Sequence, residues 1–173
     1  MRMQFPDLNG VLEGVLWAVV GAAATRRYMP ERATNDLDIL IRAEDATRVR
    51  ERLLEAKAQL TGELSIGGSS WRLEDGFPVD VLEGREGWTS PALTEAQANR
   101  GEDNLPTLPL PHLVLMKFGA SRVQDLADIS RMLGGATEAQ LNAVRAVFAR
   151  WNPNDTDDLE SLILLGQLEN KHE

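Results

Sequence analysis

The stretch Arg32-Ala33-Thr34-Asn35-Asp36-Leu37-Asp38 sets two carboxylates two residues apart, against the apolar alternation of Leu37, Ile39 and Ile41. Alternate residues of an extended chain share a face. Arg32, Thr34, Asp36 and Asp38 are therefore expected together on one side, with the three apolar residues buried behind. Two carboxylates at that spacing repel one another unless a cation sits between them. Mg²⁺ supplies such a charge and takes hard oxygen ligands, few from protein and the rest from water and phosphate. With a third carboxylate on a neighbouring strand, one aspartate would bridge two ions. Asp80, in Pro78-Val79-Asp80-Val81-Leu82, is the natural third, because an isolated charge among apolar residues is expensive to bury. An Asp-x-Asp pair alone is common and on an exposed strand is simply solvated, so the surrounding elements must carry the weight.

Those elements read as follows. Phe5 to Val15 has helical spacing, with Pro6 in its first turn. Leu16 to Val20 is a short apolar run ending at Gly21, as a buried strand does. Ala22 to Met29 reads as a helix stopped by Pro30. Small residues at 21–24 let backbone N–H groups approach a phosphate at a helix start; they equally allow close helix–sheet packing. Asn35 to Arg42 is a strand. Ala43 to Leu60 is a helix on the spacing of Ala46, Val49, Leu53, Ala56 and Leu60. Short strands are expected at 64–66, 71–74 and 78–83, in a meander with turns at Gly67-Gly68 and Asp75-Gly76. A weak helix at 91–100 and an extended, proline-rich 104–111 lead into helices at 112–118, 121–133, 137–151 and 155–168. Ser121 and Gln124 suggest a capping box for the second of these. The fold class is α+β: a small mixed sheet flanked by helices, with a helical C-terminal half. Residues 1–110 form the α/β core and 111–173 a helical part of the same unit.

Composition narrows the function. A chain of 173 residues can bury a core unaided, and with no cysteine it has neither thiolate zinc sites nor a cysteine nucleophile. The net charge of −9 argues against tight, non-specific nucleic-acid binding, which needs Lys and Arg to neutralise phosphates. His112 and His172 are too few and too far apart for a zinc set. The four tryptophans have no interleaved basic residues to make a base-stacking platform, and read as core or edge packing. No apolar run is long enough for a bilayer and no signal peptide is evident, so a cytoplasmic location is expected.

Val20-Gly21-Ala22-Ala23-Ala24, then Arg32-x-Thr34-x-Asp36-x-Asp38, then an Asp on a later strand, resemble the polymerase-β-like nucleotidyltransferase superfamily. The likeness is closest to its minimal bacterial members, including the abortive-infection (AbiEii) toxin group. Lys117, Arg122, Asp125 and Asp128 resemble that group's helical Lys, Arg and D-x-x-D motif, so the resemblance spans roughly Leu16 to Leu133. It implies transfer of a nucleotidyl group from a nucleoside triphosphate to an acceptor hydroxyl on RNA, protein or a small molecule, in a toxin–antitoxin setting. It also implies two Mg²⁺ ions on Asp36, Asp38 and Asp80, with Gly21, Ala22, Arg32 and Thr34 near the nucleotide. Lys117 would pair with the triphosphate, or else lie along its own stem with its head in water. Asp125 and Asp128, one turn apart, are read as capping and solvating their helix. Many members place Ser directly after the glycine, where this chain has Ala22. That removes one phosphate ligand and favours the alternative of a catalytically silent nucleotide-binding or interaction module. The last helix, with Leu159, Leu162, Ile163, Leu165 and Leu168, either packs on its own domain or offers a surface to a protein partner or a homodimer mate.

Overall fold

The computed structural model describes residues 4–30 and 33–171. By its internal contacts the chain divides into two units, one of residues 1–24 and 33–108, the other of residues 25–32 and 109–173. The architecture is the mixed α+β class read from the sequence.

The first unit is built on a five-stranded sheet of order β1-β2-β5-β4-β3. Its strands are β1 (Trp17–Val20), β2 (Leu37–Arg42), β3 (Gln59–Glu63), β4 (Gly68–Arg72) and β5 (Pro78–Gly84). β2 and β5 are parallel, and every other pair is antiparallel. After β2 the chain passes through helix α2 (Ala46–Glu55) and the β3–β4 hairpin before β5 returns beside β2. Alternation fixes the buried face: Leu37, Ile39, Ile41, Val79, Val81 and Trp71 are all buried, while Asp38 and Asp80 point to the other side. Helix α3 (Thr89–Ala96) packs on β1 and β2 through Ala92, Leu93 and Ala96. Beyond β1 the proline-rich segment runs extended: Val19 N–H donates to the Pro106 carbonyl (2.7 Å), and Leu108 N–H to that of Val19 (3.0 Å). The β1 edge is thereby covered.

Several boundaries differ from the sequence reading, each for a local reason. Phe5, Leu8, Leu12 and Val15 are buried at helical spacing, yet 5–15 forms turns rather than a helix. Pro6, Gly10 and a left-handed Gly14 (φ +76°) interrupt the ladder. The helix expected at 22–29 is the short α1 (Gly21–Thr25), after which the Thr25 carbonyl accepts from both Tyr28 and Met29 N–H. α2 stops before Leu60, because Lys57 turns left-handed (φ +61°). Ala58 N–H then reaches the Leu53 carbonyl and Lys57 N–H that of Leu54, the Schellman closure. Leu60 consequently belongs to β3, and 64–66 is the hairpin turn rather than a strand.

The second unit holds helices α4 (Leu110–Ala120), α5 (Val123–Gly134), α6 (Glu138–Trp151) and α7 (Thr156–Asn170). Ser121 is the left-handed cap closing α4, its hydroxyl donating to the Phe118 carbonyl, and no capping box forms with Gln124. The reciprocal box lies at α6 instead, between Thr137 and Gln140. α5 and α7 cross with their backbones in contact: a Cβ on Gly166 would overlap the Ser130 carbonyl, and one on Gly134 that of Gly166. Phe148, fully buried, meets Phe118 edge-on at 5.3 Å. α7 buries Leu159 and Ile163 and leaves Leu164, Leu165 and Leu168 exposed.

Candidate metal and nucleotide site

The parallel register of β2 and β5 sets Asp38 directly beside Asp80. Neighbouring strands lie about 5 Å apart, so the two carboxylates stand side by side on the sheet face opposite Ile39 and Val81. The row across the sheet reads Val20, Asp38, Asp80, Ser70, Gly62 in the order β1, β2, β5, β4, β3. Both aspartates are half-buried. Asp80 makes no hydrogen bond or ion pair among the described residues, a costly condition for a carboxylate out of full contact with water.

Gly21 follows β1 in a left-handed conformation (φ +63°), and a Cβ there would overlap Oδ2 of Asp38. The missing side chain is thus what lets the Asp38 carboxylate lie against the backbone at Gly21. Ala22 comes next and carries no hydroxyl. α1, five residues long, is too short to bring much helix dipole, so anything bound here meets local backbone N–H groups.

Asp36 departs from the expected row. The chain bends at Asn35 and Asp36 before β2 begins, so Thr34, Asp36 and Asp38 do not continue one extended face. Asp36 is exposed, and its carboxylate accepts a short hydrogen bond from the Thr34 hydroxyl. The bend lets Thr34 reach the carboxylate two residues on, a turn that short polar side chains favour. Arg32 lies outside the described residues.

The donor chemistry fits a hard divalent cation: two adjacent carboxylates, one of them without a partner among the described residues. Among the described residues no three acidic or imidazole groups already converge as a metal cage. Asp36, held by Thr34 through Oδ1, is not part of such a cage.

Lys117 belongs to the helical unit. Its ammonium is buried, 3.3 Å from Asp125 and 3.0 Å from Asp128, while Arg122 Nε donates to Asp125 at 2.6 Å. Gln124 adds a hydrogen bond to Asp128 (3.0 Å). The reading in which the Lys117 head sits in water is overturned by this burial, and pairing with a triphosphate would require it to leave two carboxylates. Asp125 and Asp128 do not cap and solvate α5 either; both are buried and clamp α4 to α5. Burial pushes the Asp125 carboxyl up, but the Arg122 hydrogen bond and the Lys117 charge together outweigh it and hold the group below the ordinary carboxylate range. The motif of Lys, Arg and D-x-x-D is thus one ionic cluster.

Comparison with known proteins adds the following. No family model matches the chain, and no curated protein does. Among solved structures, the solution structure of the antibiotic-resistance factor ANT(2'')-Ia aligns over 91% of this chain and 86% of that one, at 13% identity and a TM-score of 0.46. The crystal structure of ANT(2'')-Ia with adenylyl-2''-tobramycin covers 90% and 88%, at 11% identity and a TM-score of 0.48. A CCA-adding enzyme in complex with CTP covers 79% of this chain and 40% of that one, at 12% identity and a TM-score of 0.41. No helix of the described residues is long and apolar enough to cross a membrane.

Proposed function

We propose that the chain is a Mg²⁺-dependent nucleotidyltransferase whose metal ligands are Asp38, Asp80 and, after it turns from Thr34, Asp36. The observation that carries this reading is the in-register pairing of Asp38 with an Asp80 that has no partner among the described residues. The sequence likeness to the minimal, toxin-type nucleotidyltransferases points the same way. Bound Mg²⁺ would neutralise charge on the triphosphate and on the developing oxyanions.

The chain's own residues do the rest. Gly21 keeps Asp38 close to the backbone that precedes Ala22, where phosphate oxygens can meet N–H groups without a side chain intervening. Asp80 stands on the β4 side of Asp38, where the acceptor hydroxyl is placed to enter. The acceptor O–H bond breaks, its oxygen bonds to the α-phosphorus, and the bond from that phosphorus to pyrophosphate breaks. The proton passes to Asp80 or to solvent. Positioning and charge stabilisation supply most of the rate. Lys117, committed to Asp125 and Asp128, holds the helical unit together in this scheme.

Ala22 favours one alternative, a silent nucleotide-binding module on the same fold. Calorimetric titration with each of the four nucleoside triphosphates, with and without Mg²⁺, tests both. Metal-dependent binding that is lost in Asp36→Asn/Asp38→Asn, together with pyrophosphate release, is the expected result. Binding without any pyrophosphate release would select the module, and binding that survives the double change would overturn the metal assignment.

A further inference from the structure

The row of residues through Asp38 and Asp80 is closed at one end and open at the other. On the β1 side it ends at Val20, buried, with the proline-rich segment paired along the strand's outer edge. On the other side come Ser70 and then Gly62. Ser70 is half-buried, and its hydroxyl makes no hydrogen bond among the described residues. Directly opposed residues of an antiparallel pair carry their Cβ atoms about 5 Å apart on one face. The Ser70 hydroxyl therefore stands beside the Asp80 carboxylate. Gly62, its opposite number on β3, would carry a Cβ into open space. β3 is the last strand of the sheet and is exposed along nearly all its length. Beyond Asp80 there is thus a shallow ledge, one hydroxyl deep and floored by glycine.

We propose that this ledge is the acceptor subsite and that Ser70 is the residue that touches the acceptor, hydrogen-bonding a hydroxyl-bearing molecule so that its reacting oxygen lies at Asp80. The inference rests on the nucleotidyl-transfer reading and adds to it a contact residue and a class of acceptor. The class of acceptor is a polyol or sugar hydroxyl: the ledge offers a hydroxyl donor and acceptor with bare backbone behind it. Water needs no ledge. The enzyme's choice between water and a polyol therefore reports on the acceptor subsite, whatever the total rate or the folded fraction.

The experiment incubates the full chain with Mg²⁺ and its preferred nucleoside triphosphate, using glycerol, and separately adenosine, as acceptor probes. It measures the ratio of nucleotidylated probe to free nucleoside monophosphate. Ser70→Ala is expected to lower the ratio about fivefold to tenfold, the worth of one hydrogen bond. Ser70→Thr, which keeps the hydroxyl and suits a strand, is expected to restore it. Gly62→Leu is expected to lower the ratio further by standing over the ledge, since a Cβ at that position meets nothing within 4 Å. An unchanged ratio in both Ser70→Ala and Gly62→Leu would place the acceptor elsewhere and overturn the proposal. No pyrophosphate from wild type with any triphosphate would instead overturn the nucleotidyl-transfer reading on which it stands.

Discussion

Replacing Gly21 by alanine tests the link between backbone and carboxylate most directly. Two costs arise. An L-residue at φ +63° is disfavoured by about 1–2 kcal/mol. The new Cβ also overlaps Oδ2 of Asp38, and moving that side chain off its rotamer costs about 0.5–1.5 kcal/mol more. The sum, about 1.5–3.5 kcal/mol, is within the stability of an ordinary domain, so the variant folds with its carboxylate displaced. Gly14→Ala is the control: it imposes the same backbone strain (φ +76°), but its Cβ meets nothing within 4 Å. Urea denaturation should show Gly14→Ala destabilised by about 1–2 kcal/mol and Gly21→Ala by about 1 kcal/mol more. Calorimetry with Mg²⁺ and triphosphate should show wild-type affinity for Gly14→Ala and at least about a tenfold loss for Gly21→Ala, the equivalent of about 1.4 kcal/mol. Equal affinity in the two variants would refute the claim that the glycine exists to seat the Asp38 carboxylate.

The helical unit gives three further predictions. Lys117→Met leaves the Asp125 and Asp128 carboxylates, 3% and 0% exposed, without their shared cation. Unfolding in urea should show a loss of about 3–5 kcal/mol, nearer the lower figure because Arg122 still pairs with Asp125. The Asp125 carboxyl titrates below its unfolded value, which is near pH 3.9 in model peptides. Its contribution is therefore complete above that pH and lost as pH falls through the folded value. Between about pH 5 and pH 3, Asp125→Asn should lose less stability than wild type does, measured as the shift in urea midpoint. Gly166→Ala pushes a methyl into the Ser130 carbonyl and should lower the melting temperature, as overpacking costs about 1–3 kcal/mol. Gly119→Ala, in α4 with open space around it, should raise it by the ordinary helical gain.

Periodicity alone located most of the architecture, and its failures share a cause. Apolar spacing reports which residues face a core, not which backbone carries them there. The 5–15 segment shows this: Leu8 and Leu12 are buried one helical turn apart, but glycines and a proline turn the chain without a helix. Lys57 shows the converse, since nothing in its side chain announces a left-handed helix end, and only the carbonyls at Leu53 and Leu54 require it. That hidden stop shifted the whole meander. With Leu60 assigned to the helix and β4 begun at Trp71, Ser70 fell in a turn and its position opposite Asp80 went unseen. The Asp38–Asp80 pair was legible because each sits in an unbroken apolar alternation. The Asp36 bend was not, because Thr34, Asn35 and Asp36 suit a turn and a strand end equally well.

Two sets of aspartates in this chain look alike as text, Asp36-x-Asp38 and Asp125-x-x-Asp128, and partner inventory separates them. Asp125 and Asp128 lie in a helical core and are satisfied there by Lys117, Arg122 and Gln124. A carboxylate so engaged has little left to offer a ligand, and the depressed titration of Asp125 records how firmly that group is held. Asp80 is half-buried beside a second carboxylate and has no cation or donor among the described residues. Like charges a few ångströms apart are unfavourable in the unliganded chain. The imbalance is relieved when a cation arrives from outside, so the site's affinity for that cation includes the repulsion it removes. It follows that Asp80→Asn should stabilise the metal-free protein while weakening Mg²⁺ binding. A neutral residue chosen only for structure would leave metal binding unchanged. Opposite signs in the two measurements are the signature of a carboxylate kept for its ligand.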